Sequence, residues 1–345
     1  MVGFLREKTS IQRAVPGYAV PGGRVMIMGS GFNGRLGNAA CLDVNGSAAP
    51  ISCARSKMLT ITIPEDITPG AAHMVIGGEA FENVGLRIAT VFARDVHPVD
   101  NPVVGADGYI YTTFSGPRGE KTAVSVFRIS PDGRCESYLT DIMNPTSLAF
   151  GPDGALYVSS RFTGSVYRVG SPTDVSVYAE GLGTATGIVF DRRGNLLVGD
   201  RCGTIFCVGP DRKVVPLVTI PPSVAAFHLC IGPDESLYIT NPDISTYDAV
   251  LRVAPDASEA EVFYPGIKRP QGMAFDSEGN LYVAKAMAGD SGIIKISPRG
   301  QATMIVSGPV LVGLALDQSG NMFLAGTSMI YMLPIGAKAL HGALT

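Results

Sequence analysis

The chain has 345 residues, with 27 Lys and Arg against 30 Asp and Glu for a formal net charge of −3. No Lys/Arg run stands out, so the electrostatic footprint of a nucleic-acid binder is missing. Charged residues make up only 17% and apolar ones 46%, with a mean hydropathy of +0.24, which gives a weakly charged surface and excludes global disorder.

The N-terminus, MVGFLREKTS, places Arg6, Glu7 and Lys8 where a secretory signal needs an apolar core. No export signal is expected, and the chain is read as cytoplasmic, with residues 1–12 as an arm. From 13 to 85 the segments VPGGRVMIMGSGFNG, ACLDVNGSAAP and MLTITIPEDITPGAAHMVIGG alternate apolar and polar positions between Pro/Gly turns. A small β-sandwich is expected there. Gly29, Gly31 and Gly34 satisfy G-x-G-x-x-G, but a dinucleotide site needs a helix opening at those glycines and RLGNAACLDV reads as strand. A tight turn is the expected reading. The six cysteines (Cys41, Cys53, Cys135, Cys202, Cys207 and Cys230) contain no CxxC pair and read as buried reduced thiols. A Cys41–Cys53 disulfide is the alternative if the protein is exported.

Beyond residue 85 the chain repeats itself. NPTSLAFGPDGALYVSS (144–160) and RPQGMAFDSEGNLYVAK (269–285) each hold an apolar strand, a D/G-type turn and a second strand. Alignment on the LYV position gives Tyr111, Tyr157, Leu197, Tyr238, Tyr282 and Phe323, spaced by 40–46 residues. Third strands such as SVYRVG, TIFCVG, AVLRVA and GIIKIS follow, and usually a fourth. Four short strands per repeat make one β-propeller blade, so six blades are expected over 86–345. The last copy runs short of strands, and LRIATVF (86–92) reads as the spare fourth strand that closes the ring. The uncharged stretch 318–337 is long enough to span a bilayer but carries Gln318, Asn321 and Pro334, and reads as two strands and a turn, not a transmembrane segment. The recurring tyrosines read as blade-to-blade packing, and Met26, Met28, Met304, Met322, Met329 and Met332 as fillers of apolar strands.

This repeat resembles NHL-repeat and gluconolactonase/regucalcin-type six-bladed propellers over about three-quarters of the chain. The wording P-G-G-x-V-x-I-x-G-S-G-F, with Ile61 to Pro64 and Pro69 to Gly77, resembles the IPT/TIG immunoglobulin-like domain. The fold class is therefore all-β, a propeller preceded by an immunoglobulin-like sandwich. In gluconolactonase-like relatives, the slot 11 residues before the LYV position supplies a Glu and later Asn or Asp residues that hold a divalent cation. Here that slot reads Asp100, Thr146, Thr186, Phe227, Gln271 and Val312. A hard cation such as calcium normally recruits more than one carboxylate, so no metal is expected, and calcium or zinc at the channel mouth is kept as the alternative.

Other polar candidates surround the slot. His228 follows Phe227, and His97 precedes the first copy; both read as structural, with general base or ligand as the alternative. Arg161, Asp200, Arg201 and Asn241 lie at or just after second-strand ends, where a mixed-charge rim would suit a polar ligand if they share a face with Asp100. Ser223, His228 and Asp243 compose a triad only on paper. The favoured reading is a non-catalytic scaffold or accessory subunit. Its partner would be a protein or a larger complex, with a membrane-peripheral assembly among the options. The alternative is a metal-dependent sugar-lactone or ester hydrolase with Asp100 and His228 at its centre. A third reading is a sensor holding a small ligand at Asp100, Thr146, Thr186 and Gln271.

Overall fold

The computed structural model describes residues 8–32, 41–242, 248–287 and 289–340. Every named element among them is a strand, and no helix is long and apolar enough to cross a membrane. Chain contacts divide the protein into two compact units. The first holds residues 1–90 with 288–294 and 303–309; the second holds 91–287, 295–302 and 310–345.

In the first unit, alternation places Val25, Ile27, Leu59 and Ile61 on one buried face of the paired strands Arg24–Ser30 and Met58–Thr62. Met74, Ile76 and Phe32 complete that core without any exposure. These strands belong to a seven-stranded sheet that also contains Ser10–Val15, so residues 10–12 of the expected arm are already strand. Gly29 lies in a strand, and Gly34, with the segment where a helix would open, falls outside the described residues. Met26 does not fill a packing gap: it is 40% exposed. Tyr18 and Ala19 pair in parallel with Val306 and Ser307, within the same unit.

That pairing corrects the blade count. Among the described residues five self-contained four-stranded sheets are present; the copy at 270–307 does not form a sixth, because its last strand pairs onward with Tyr18–Ala19, which Arg87–Ile88 and Gly70–Ala71 extend. The segment 86–92 likewise splits. Arg87–Ile88 joins that sheet, and Thr90–Arg94 pairs with the strand Met329–Pro334 to complete the last blade.

In the second unit the repeat motif explains the packing. Three of the four LYV tyrosines meet the phenylalanine ending the next copy's inner strand edge-on: Tyr111 with Phe150, Tyr157 with Phe190 and Tyr238 with Phe275, at centroid distances of 5.4, 4.7 and 4.8 Å. The geometry is the T-shaped one that aromatic quadrupoles favour. The tyrosines also have a polar task. Their hydroxyls donate to the aspartate of the preceding turn, Tyr111 to Asp107 (2.8 Å), Tyr157 to Asp153 (3.4 Å), Tyr238 to Asp234 (3.3 Å) and Tyr282 to Asp276 (2.9 Å). In two copies an arginine from the third strand reaches the same carboxylate, Arg168 to Asp153 (2.6 Å) and Arg252 to Asp234 (2.9 Å). The turn end of these blades is thus closed by a repeated carboxylate–phenol network. Two cysteines depart from the expectation of burial, because Cys135 and Cys202 are exposed; Cys53, Cys207 and Cys230 are free and partly covered, and the Cys41 side chain lies outside the described residues.

Candidate functional site

The inner strands of the propeller enter at the end opposite those turns. Antiparallel pairing sets the start of each inner strand beside the end of its second strand: Pro145 opposite Ser160, Ala185 opposite Asp200, His228 opposite Thr240 and Pro270 opposite Lys285. The slot residues and the rim residues Arg161, Asp200, Arg201 and Asn241 therefore lie at one end of the blades.

Two groups from far apart in the chain meet there. Nδ1 of His228 is hydrogen-bonded to Oδ1 of Asp100, across a separation of 128 residues. Both side chains are buried, at 0% and 4% exposure. The same carboxylate oxygen accepts from the backbone N–H of Asn101 (2.7 Å). With an ionised carboxylate as partner, Nδ1 carries the ring proton and Nε2 presents a lone pair. That Nε2 is buried and has no hydrogen-bond partner. Leaving such an atom unpaired costs about 1–3 kcal/mol, so it marks a place where a ligand or reactant atom belongs.

The other slot residues are engaged locally. The Thr186 hydroxyl donates to the Gly199 carbonyl (2.9 Å) and accepts from the Phe227 N–H (3.3 Å); that of Thr146 donates to the Asn144 carbonyl (3.3 Å). The Gln271 amide donates to the Pro270 carbonyl (3.0 Å). Phe227 is fully buried and Val312 is apolar. This donor set does not fit a hard divalent cation. Its one carboxylate is held by His228, both threonine hydroxyls serve neighbouring carbonyls, and two positions offer no oxygen. Among the described residues no group of three or more His, Cys, Asp or Glu side chains could hold a metal.

Beside the slot the inner strands are laced together. Gly187 N–H donates to the Phe227 carbonyl (2.9 Å) and Gly272 N–H to that of Val312 (3.0 Å). The Asn101 amide donates to the Met273 carbonyl (2.9 Å), and its oxygen accepts from Leu314 N–H (2.9 Å). A Cβ on Gly272 would stand 2.0 Å from Asn101 Oδ1 and 2.7 Å from the Gly313 Cα, so only glycine permits this approach. On the far side of this band lies an apolar cavity of about 120 Å³, lined by Leu148, Ile188, Leu229, Met273, Leu314 and Leu340. Asp100 and Asn101 also line it. Leu340 N–H donates to the Phe275 carbonyl (3.3 Å), which fixes the C-terminal segment against the cavity.

At the rim, Asp200 is not a free ligand: its Oδ1 accepts from the N–H groups of Thr184 (2.8 Å) and Cys202 (3.2 Å). The Arg161 guanidinium donates to the Gly116 carbonyl (3.1 Å), and that of Arg201 to the Ser223 carbonyl (3.2 Å). Asn241 donates to the Pro221 carbonyl (3.1 Å). Ser223 donates to the Pro242 carbonyl (2.7 Å), and Asp243 lies outside the described residues, so Ser223 and His228 are not joined in a triad. His97 is exposed, with Nδ1 on the Thr327 carbonyl (3.0 Å). Arg118, which the repeat register does not single out, joins Arg161 and Arg201: burial, then the like charges of Arg118 and Arg201, lower the hold of the Arg161 guanidinium on its proton.

No family model matches the chain. A lactonase, drp35, of Staphylococcus aureus (strain USA300) is 24% identical over 235 residues, which cover 60% of this chain and 70% of that protein. A gluconolactonase of Zymomonas mobilis is 31% identical over 133 residues, 33% of this chain and 37% of that protein. The calcium-binding protein regucalcin of Agrobacterium tumefaciens superposes with a TM-score of 0.57 at 17% identity, over 74% of this chain and 97% of that one. The propeller unit shares its fold with regucalcin. A protein of unknown function from Bacteroides thetaiotaomicron has a TM-score of 0.58 at 14% identity and covers 95% of this chain and 98% of its own, so the similarity extends beyond the propeller.

Proposed function

We propose that the propeller hydrolyses a lactone or a related ester, with His228 as general base and Asp100 as the group that orients it. The observation that carries this reading is the buried imidazole, fixed through Nδ1 by a carboxylate and left without a partner at Nε2. In that arrangement Nε2 takes a proton from water as the water oxygen bonds to the carbonyl carbon. The ring C–O bond then breaks, and the imidazolium returns the proton to the departing alkoxide, which becomes the hydroxyl of the product. Asp100 stabilises the imidazolium and fixes its tautomer. No step passes through a metal, because the slot does not supply the oxygens one requires.

The test is hydrolysis of glucono-δ-lactone and a panel of aliphatic and aromatic lactones by the full chain, followed as acid release. His228→Asn is expected to lower kcat by about 100-fold or more, the scale of a lost general base, with Asp100→Asn losing a smaller factor. Turnover that persists in His228→Asn overturns the reading. Saturable lactone binding without turnover in the wild type would support the sensor instead. The repeats are read as NHL-like, and residues 13–85 as an IPT/TIG-like module supported by the P-G-G-x-V-x-I-x-G-S-G-F wording. Docking of a partner protein through that module is tested by co-purification from native extracts.

A further inference from the structure

The buried polar atoms that lack a partner are unevenly distributed. Of seven among the described residues, Thr112 Oγ1 lies within a strand and His73 Nε2 in the first unit, whereas His228 Nε2, Ser115 Oγ, Arg161 Nε, Thr240 Oγ1 and Asn241 Oδ1 lie at the end of the blades where the inner strands begin. Buried polar groups are normally paired, so this concentration points to a polar occupant. The charge at that end gives the occupant its sign. Arg161 and Arg201 follow second-strand ends of neighbouring blades. Their backbone N–H groups donate to the Asn144 (3.3 Å) and Thr184 (3.1 Å) carbonyls, two residues before the slot positions Thr146 and Thr186. Arg118 lies in the loop 115–125 beside Gly119, whose N–H donates to Asn144 Oδ1 (2.7 Å), and Arg161 bonds that same loop at Gly116.

Three buried carboxylates at this end already have partners, while Glu120, in the loop of Arg118, is exposed. Asp100 is on His228, Asp200 on two backbone N–H groups, and Asp248 accepts from the Arg269 N–H (2.6 Å). Among the described residues no ion pair involves Arg118, Arg161 or Arg201. The Arg161 guanidinium, with a buried unpaired Nε, feels the like charges of Arg118 and Arg201, and Arg161 and Arg201 are held by carbonyl contacts. An oxyanion relieves that repulsion, and a guanidinium fork matches carboxylate and phosphate geometry.

We propose that Arg118, Arg161 and Arg201 form an oxyanion subsite beside the His228–Asp100 pair, so that the preferred substrate is a lactone or ester bearing a carboxylate or phosphate group. The assignment of that anion to a substrate rests on the hydrolase reading; the anion site itself does not. Both ligand sources share one chemistry, a multidentate oxyanion acceptor.

The experiment is calorimetric titration of the full chain, at low ionic strength and pH 7, with inorganic phosphate in one arm and acetate in the other. Saturable one-site binding is expected, weakened about tenfold or more in Arg161→Gln and severalfold in Arg118→Gln. Arg118 is exposed, so its replacement leaves the fold intact. Arg134→Gln, at a distant exposed ion pair with Asp132, is the control and is expected to bind as the wild type does. Tighter binding of phosphate assigns a phosphorylated substrate, and tighter binding of acetate a carboxylated one. Absence of saturable binding in both arms, or equal binding by wild type and both Arg161→Gln and Arg118→Gln, overturns the subsite. Anion binding without turnover of any lactone removes the hydrolase reading and leaves the subsite standing.

Discussion

The two ends of the propeller blades solve the same problem in opposite ways. At the turn end, carboxylates recur with partners supplied by their own copy: Asp153 takes Tyr157 and Arg168, and Asp234 takes Tyr238 and Arg252. At the other end, Ser115, Arg161, His228, Thr240 and Asn241 each leave an atom unpaired. The first end is a device for folding, repeated because every blade needs it. The second varies from copy to copy, which is what a site for a ligand requires.

Several measurements can break or sharpen this contrast. The largest change in stability is expected between the two ends, where the inner strands touch. Gly272→Ala would drive a methyl into Asn101 and the Gly313 backbone, and is expected to cost about 3 kcal/mol, read as a fall in the denaturant midpoint. A midpoint equal to wild type would mean that the strands are not in contact there.

Next comes the turn end. Tyr157→Phe is expected to cost about 1 kcal/mol, one hydrogen bond to a charged group offset by lost solvation, with no effect on any activity. Burial, then the charge of Asp153, pushes the Tyr157 hydroxyl up to about 12, and burial with Asp234 does the same for Tyr238. These groups keep their protons in the folded chain after they have lost them in the unfolded one. Their contribution is therefore complete below about pH 10 and is lost as the pH rises to about 12. Thermal unfolding followed from pH 9 to 12 should show that decline, and Tyr157→Phe should flatten it. An unchanged slope would detach the tyrosines from the effect.

The smallest effect concerns the thiols. Burial, then the charge of Asp234, pushes the Cys230 thiol far up, so it is expected to resist iodoacetamide at pH 8 while exposed Cys202 is alkylated. Comparable labelling of both by peptide mass mapping would show that the Cys230 cover opens readily.

Much of this architecture is legible in the sequence, because the LYV and AF motifs are the two halves of the blade-to-blade aromatic contact. The blade count is not. Val306 and Ser307 read as an ordinary fourth strand, and nothing in their residue types shows that Tyr18 and Ala19 pair with them. Asp100 and His228 are both visible as candidates, but their union is hidden, since they occupy adjacent positions of the repeat register and are joined only through space. Arg118 escapes altogether: it sits in an extended loop outside the register, and only the contact of Arg161 with Gly116 reveals the connection. Leu340 as a cavity wall is likewise a matter of tertiary placement.

The glycine-to-carbonyl lacing of the inner strands has one further consequence. It draws neighbouring inner strands so close at Gly187 and Gly272 that neither position has room for a side chain, which fixes the spacing of those strands beside the apolar cavity that Asp100, Asn101 and Leu340 line.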